Sequence, residues 1–432
     1  MSHATHLHGR ALRPIAATLL AGLGLLGLAS PAAAHGLCIV GAEVRSPGLD
    51  AAPRTVCIDD GRIAAIYPES ARPAADQQID GTGLWLTPGF VDAATQLGLV
   101  EIEQEEDGND ADGGGDPVRA GLRAEDAFNP GATAVTVTRQ GGVTSVISCN
   151  GGGLISGTAQ WFDLAGDSVA AMTSPGAELL FATAGGRAAH AVGGSRADAM
   201  LRYRELLDDA RAYYANQAAY DQSRLRALSV SRVDLEALRP FVTGQKTIVF
   251  EAHRRADLES VLRLAAEQRL RVALRGGEEA WRIAPLLAER AVPVIVDAMA
   301  NLPSSLDEIG SREDNAALLD RAGVPVILTA GDAHNARNLR FFAGNAVRAG
   351  LPWDSALAAI TLRPARLAGR DREVGSIEVG KLASLALWTG DPFETSTVLR
   401  RLWIAGREVP TSSRQHDLLE RYRSLDGRAV PR

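Results

Sequence analysis

Between residues 88 and 370, short apolar runs alternate with amphipathic helical stretches, and this alternation limits the possible folds more than any other feature of the chain. The strand candidates are GFVDA, VTSVISC, ELLFAT, TIVFEAH, RVALRG, VPVIVDA and VPVILTA. Between them lie runs such as RADLESVLRLAAEQ, EEAWRIAPLLAERA and EDNAALLDRAG, whose apolar residues recur at the helical period. Repeated over this length, the pattern predicts an α/β fold, a closed (β/α)8 TIM barrel. A doubly wound open sheet is the alternative, but no Gly-rich dinucleotide turn follows the first strand.

The flanks have a different texture. Residues 35–87 read as strands broken by turns: IVGAEV, TVCIDDG, RIAAIYP and QIDGTGLWLTPG. Residues 371–432 return to strand-like text in GSIEVGKLASLALW and VLRRLWIAGREV, followed by a tail. A small β-sandwich assembled from both chain ends accounts for the two flanks, with the barrel domain over 88–370 between them. Cys38 and Cys57 lie in two strand-like runs joined through SPGLDAAP. A hairpin about Pro47–Gly48 brings them near one another and makes a Cys38–Cys57 bridge plausible. Cys149 reads as a buried apolar side chain. No C-x-x-C spacing points to a zinc-thiolate site.

Residues 1–34 read as a signal peptide: Arg10 and Arg13 precede the apolar run IAATLLAGLGLLGLA, and Ala32 and Ala34 form an A-x-A cleavage site before His35. The alternative, a retained anchor, needs about 20 apolar residues, more than this run supplies. The expectation is a periplasmic or secreted protein, soluble and free of the membrane after cleavage, in a compartment that permits disulfides. The formal net charge of −7 gives no basic footprint for nucleic acid. The stretch 103–117, EQEEDGNDADGGGDP, is acidic and Gly-rich and reads as a solvated loop. Calcium binding is the alternative, although EF-hand spacing is absent. Residues 195–231 read as a helical excursion without a motif.

The runs LTPGFVDA, GGVTSVISCNGGGLISG, FEAHRRADLESVLRLA, GGEEAWRIAPLLAERAVPVIV, TAGDAHNARNLRFFAGNAVRAGLPWDSALAAIT and GSIEVGKLASLALWTGDPF, with the closing IAGREV, resemble the amidohydrolase superfamily. The likeness is to its imidazolonepropionase-like members, in the expected order over nearly all of residues 35–432. The resemblance implies the barrel-plus-sandwich fold and metal-assisted hydrolysis of C–N bonds in cyclic amides, other non-peptide amides or dipeptide-like compounds. It also implies a zinc-like divalent metal with an open position for water, and a carboxylate that moves the proton. In that family the first strand supplies Asp-x-His-x-His. Later strands supply a bridging modified lysine or a glutamate, two more histidines and a final aspartate.

Most of that set is missing. Asp92 is present, but the two histidine places hold Ala94 and Gln96, and the histidine expected before the EAW-like helix start is replaced by Gly276. Lysine occurs only at Lys246 and Lys381, neither placed as the bridge. His253 and Asp332 remain as metal ligands, with Asp332 also the candidate general base. After residue 34 the histidines are His35, His190, His253, His334 and His416, too few in the barrel for a binuclear site. Glu251 and His253 are two apart on one strand run, as are Asp332 and His334 on another, so these four are candidates for a rearranged site. Without a metal, Arg275 or the backbone amides of NGGGLISG are candidates for gripping an oxyanion, with Arg275 alternatively paired to Glu278 or Glu279. His190 reads as a loop histidine.

Two functions follow: a hydrolase with an altered metal site, or a catalytically inactive pseudoenzyme that keeps the barrel for binding a small molecule or partner. A homodimer, or a heteromer with an intact paralogue, is the expected assembly.

Overall fold

The protein is represented by a computed structural model that describes residues 35–112 and 114–423. The signal-peptide expectation for 1–34 lies outside the described residues. No helix among the described residues is long and apolar enough to cross a membrane.

The first sheet is drawn from both chain ends. It contains β1 (His35–Ser46), β2 (Leu49–Asp59), β3 (Arg62–Pro68), β4 (Ala75–Asp80) and β5 (Trp85–Pro88). β1 and β2 form the hairpin expected about Pro47–Gly48, with Gly48 at φ +80° and Ser46 opposite Leu49. Its register sets Cys38 against Cys57, and the two are joined as a disulfide. The register of β1 shifts between Ile39 and Ala42, where Gly41 takes φ +70°. Before this point β1 pairs with β4; after it, with β5. One long strand thereby serves two edges, as a β-bulge allows.

The barrel strands follow: β6 (Phe90–Thr95), β7 (Val143–Ser148), β8 (Ile155–Asp163), β9 (Leu179–Thr183), β10 (Thr247–Ala252), β11 (Arg271–Gly276), β12 (Val294–Val296) and β13 (Val326–Leu328). The chain then returns to the first sheet as β14 (Leu385–Trp388), β15 (Leu399–Ile404) and β16 (Arg407–Val409). β14 lies antiparallel to β5, with Leu385 opposite Pro88 and Trp388 opposite Trp85, and so stitches the two ends together. Ile39, Val44, Val56, Leu86, Leu385 and Trp403 form the core of this β unit.

In the barrel each strand pairs with its neighbours in chain order. Seven strands are parallel, as expected. β8 runs antiparallel to both β7 and β9, because the chain after β7 turns back at once through Asn150–Leu154 instead of crossing over in a helix. The ring is nearly closed, and side chains span β6 and β13. Thr329 Oγ1 lies 2.5 Å from Asp92 Oδ1 and 3.0 Å from the Ala94 carbonyl, and Thr95 Oγ1 donates to the Asp332 carbonyl at 2.7 Å.

Alternation along the strands separates two apolar populations. Ile248, Phe250, Leu274, Val294, Val296, Val326 and Leu328 face the helices, whereas Val249, Ala273, Ile295 and Ile327 fill the barrel interior with Val91, Ile147, Trp161 and Phe181. One inward step further along four successive strands come Glu251, Arg275, Asp297 and Thr329. The interior therefore changes from apolar to polar toward the C-terminal strand ends, the end at which barrels carry their sites.

Candidate functional site

A cavity of about 1020 Å³ opens at that end. The strand ends supply Gln96, Asn150, Thr183, Glu251, His253 and Arg275, and the segments between strands supply Gly151–Gly153, Arg187, His190, Ser304–Glu308 and Gly331. Among these are Gln96, Glu251, His253, Arg275, His190 and the Gly run, all singled out from the sequence. The acidic loop also reaches the mouth, where Asp112 bridges to Gly151 and lines the cavity.

Glu251 and His253 share the inward face of β10 and its end. Imidazole Nε2 of His253 lies 3.6 Å from Glu251 Oε1, and Nδ1 lies 2.5 Å from Glu278 Oε2. Burial works to neutralise this histidine, but the nearby carboxylates of Glu251 and Glu278, the latter hydrogen-bonded to it, outweigh burial and push its pKa up to about 10. Burial likewise works to raise Glu251. The neighbouring His253 and the charges of Arg275 and Arg187 prevail and hold it at about 2. Arg187 Nη1 donates to Glu251 Oε1 at 2.8 Å, and Arg275 Nη1 lies 3.7 Å from Oε2. Glu278 was one suggested partner of Arg275 and Glu279 the other. In the structure Glu251 takes that place, while Glu279 accepts from the backbone amide of Arg255 and pairs with Arg282.

Asp92 is fully buried, bonded to Thr329 and to the amides of Ala330 and Ala94. Burial raises it to about 6, against those hydrogen bonds and the charge of Arg275. Burial also raises Asp297, a site residue the sequence reading did not single out, although its inward position in VPVIVDA follows from alternation. Cys149 is buried, and its thiol is pushed up to about 11 by that burial.

The four residues of the suggested rearranged site do not come together. Glu251 and His253 are neighbours, but Asp332 turns its carboxylate onto the amide and side chain of Asn335, at 2.6 and 2.8 Å, and His334 is exposed. Ala94 is fully buried, Gln96 is half-buried at the cavity, and Gly276 has φ +84°. Among the described residues no group of three or more His, Cys, Asp or Glu side chains is placed to hold a metal ion. The chemistry of the replaced positions agrees with that geometry, since Ala94 and Gly276 carry no donor atom. These residues do not fit the metal that the resemblance implies.

Asn150 was also missed, because in sequence it belongs to a turn. It is 3% exposed, its Nδ2 donates to the Asp110 carbonyl at 3.2 Å, and its Oδ1 has no partner.

An amidohydrolase family model matches residues 267–409. The amidohydrolase tasK of Hapsidospora irregularis is 22% identical over 386 residues, covering 81% of this chain and 39% of its own length. An imidazolonepropionase of Mycolicibacterium smegmatis is 41% identical over 66 residues, 14% of this chain and 17% of that protein. The chain thus spans well under half the length of tasK, and the second match is a short segment. The crystal structure of an amidohydrolase from Thermotoga maritima superposes with a TM-score of 0.79 at 25% identity, covering 86% of this chain and 99% of that one. The segment match, the tasK match and the structural likeness are each to amidohydrolases, the superfamily that the sequence motifs resemble.

Proposed function

We propose that this amidohydrolase-like barrel is an exported protein with a degenerate metal site, whose mouth binds a small molecule without metal-assisted hydrolysis of a C–N bond. The observation that carries the proposal is His253, with one ring nitrogen 2.5 Å from Glu278 and the other 3.6 Å from Glu251. Both ring nitrogens of His253 face carboxylates, and Ala94 and Gly276 offer no donor atom for a metal. Binding alone needs only a concave polar-and-apolar cavity, which the barrel mouth supplies. The relatives named above support a lineage that hydrolyses C–N bonds, and fold likeness alone does not carry their reaction over.

A second reading, hydrolysis at a metal held by His253 and Asp332 with Glu251 and His334 as substitute ligands, draws on the closeness of Glu251 and His253 in the cavity and needs the Asp332 loop to turn inward. Metal content per chain, measured by plasma mass spectrometry on protein exported without a His-tag into zinc- and manganese-replete medium, decides between them. The binding reading expects far less than one metal per chain and no turnover of amide or dipeptide substrates. Stoichiometric metal together with amide turnover, both lost in His253→Ala and Asp332→Ala, would establish the hydrolase.

Partnership with a second copy or an intact paralogue belongs to the same proposal. Exposed Met299, Leu302, Leu306 and Ile309, in the segment that lines one side of the mouth, support it, since such apolar side chains together mark contact surfaces. Native mass spectrometry of the exported protein, alone and co-expressed with the paralogue, tests it. A monomer under both conditions argues against it.

A further inference from the structure

The barrel mouth already contains a fixed cation. Arg275 projects from β11 onto the interior face, directly above Ala273 in the apolar layer, and its backbone is paired with that of Glu251. Around the same polar layer stand three carboxylates from three other strands: Asp92 on β6, Glu251 on β10 and Asp297 just past β12. Carboxylates crowded at low dielectric need a compensating charge. In a metal-dependent barrel the metal supplies it; here the ligand set for one is missing, and a guanidinium stands among the carboxylates.

The guanidinium also has donors to spare. Of its five N–H groups, one donates to the Gly331 carbonyl at 3.3 Å, and the carboxylate of Glu251 lies at 3.7 Å, beyond a hydrogen bond. The side chain is 24% exposed, and it lines the cavity.

We propose that Arg275 is the resident cation of the mouth, compensating Asp92, Glu251 and Asp297 as a metal would. The edge of its guanidinium facing the cavity receives the carboxylate of a small organic acid. The inference rests on the metal-free reading above. It makes Arg275 a ligand-binding residue, suited to the task because the planar fork of arginine matches a carboxylate.

Thermal melts of the wild type against small hydroxy- and amino-carboxylates, from glycolate and glycine to citrate, test it, with chloride at matched ionic strength as the reference. At least one carboxylate is expected to raise the melting temperature above the chloride control. Arg275→Gln should weaken that acid's binding about tenfold or more, the loss expected for a charge-assisted hydrogen bond. Arg275→Lys keeps the charge without the fork and should fall between the two. Arg275→Gln, left with uncompensated carboxylates, should gain stability from added Mn2+ that the wild type does not.

A wild type that responds to no carboxylate in the series overturns the inference while leaving the metal-free reading intact. An Arg275→Gln variant that matches the wild type in its acid and Mn2+ responses does the same. If Arg275→Gln does not fold, Arg275→Lys and the wild-type titration decide alone. Stoichiometric metal in the wild type would overturn both readings together.

Discussion

Gly276 holds φ at +84°, and a Cβ built on it would lie 2.7 Å from both Cε1 and Nδ1 of His253. Returning a histidine to this position therefore strains the backbone and collides with the ring beside it. Gly276→His is expected to cost about 1–3 kcal/mol in urea unfolding. Combined with Ala94→His and Gln96→His, it should still yield a protein without stoichiometric metal by mass spectrometry. Asp92 gives a pH signature. Its folded pKa is about 6 against an ordinary 3.8, so the native state binds the proton more tightly than the unfolded chain. The stability this lends is complete below the ordinary value and is lost as pH rises through 6, amounting to about 3 kcal/mol. Asp92→Asn should flatten denaturation midpoints over that interval, and an unchanged pH slope would refute the assignment. Glu251 and His253 were legible in sequence because alternation places them on one face of an apolar run, and Asp92 because it matches the first-strand motif of the family that the chain resembles. The pairing of His253 with Glu278 was not, since the two lie on different elements and only the fold brings them together.

At the scale of elements, the seven parallel strands were readable as compact β-branched runs such as TIVFEA and VPVIV, buried on both faces. β8 escaped because ISGTAQWFD mixes Gly, Thr and Gln with its apolar residues, and because the Gly run before it reads equally well as a turn or an oxyanion grip. The structure uses those glycines for a tight reversal. Gly153 has φ +69° and a Cβ there would meet the Pro117 carbonyl at 2.8 Å; at Gly157, with φ +132°, it would meet the Leu122 carbonyl at 2.7 Å. Gly153→Ala is expected to destabilise the protein by about 1–3 kcal/mol, read as a lower urea midpoint. A stability equal to the wild type would mean that the reversal can relax. Among helices, RADLESVLRLAAEQ was legible as Arg255–Gln268, whereas the excursion after Ser195 is a helix at Arg196–Ala215, a short second one at Gln217–Asp221 and then irregular chain.

Across the whole molecule, the barrel is held between two ends of one sheet, and the disulfide lies in the half that comes first. Cys38 and Cys57 are 19 residues apart, so in the chain-entropy view their bond is worth about 3 kcal/mol. Cys38→Ser with Cys57→Ser should lose roughly that amount in unfolding experiments, and reducing agent should do the same to the wild type. A thiol titration of denatured, unreduced protein should find one group, Cys149, rather than three. The β5–β14 seam has a consequence for the order in which the molecule is made. Its two strands are roughly 300 residues apart along the chain, so that pairing is delayed by the closure of a very long loop. The first hairpin can close and oxidise as soon as it emerges, but β5 must keep an open hydrogen-bonding edge until nearly the last strand has been synthesised. A nascent or truncated chain that ends before Leu385 would carry that edge bare, as a template for pairing with its own kind.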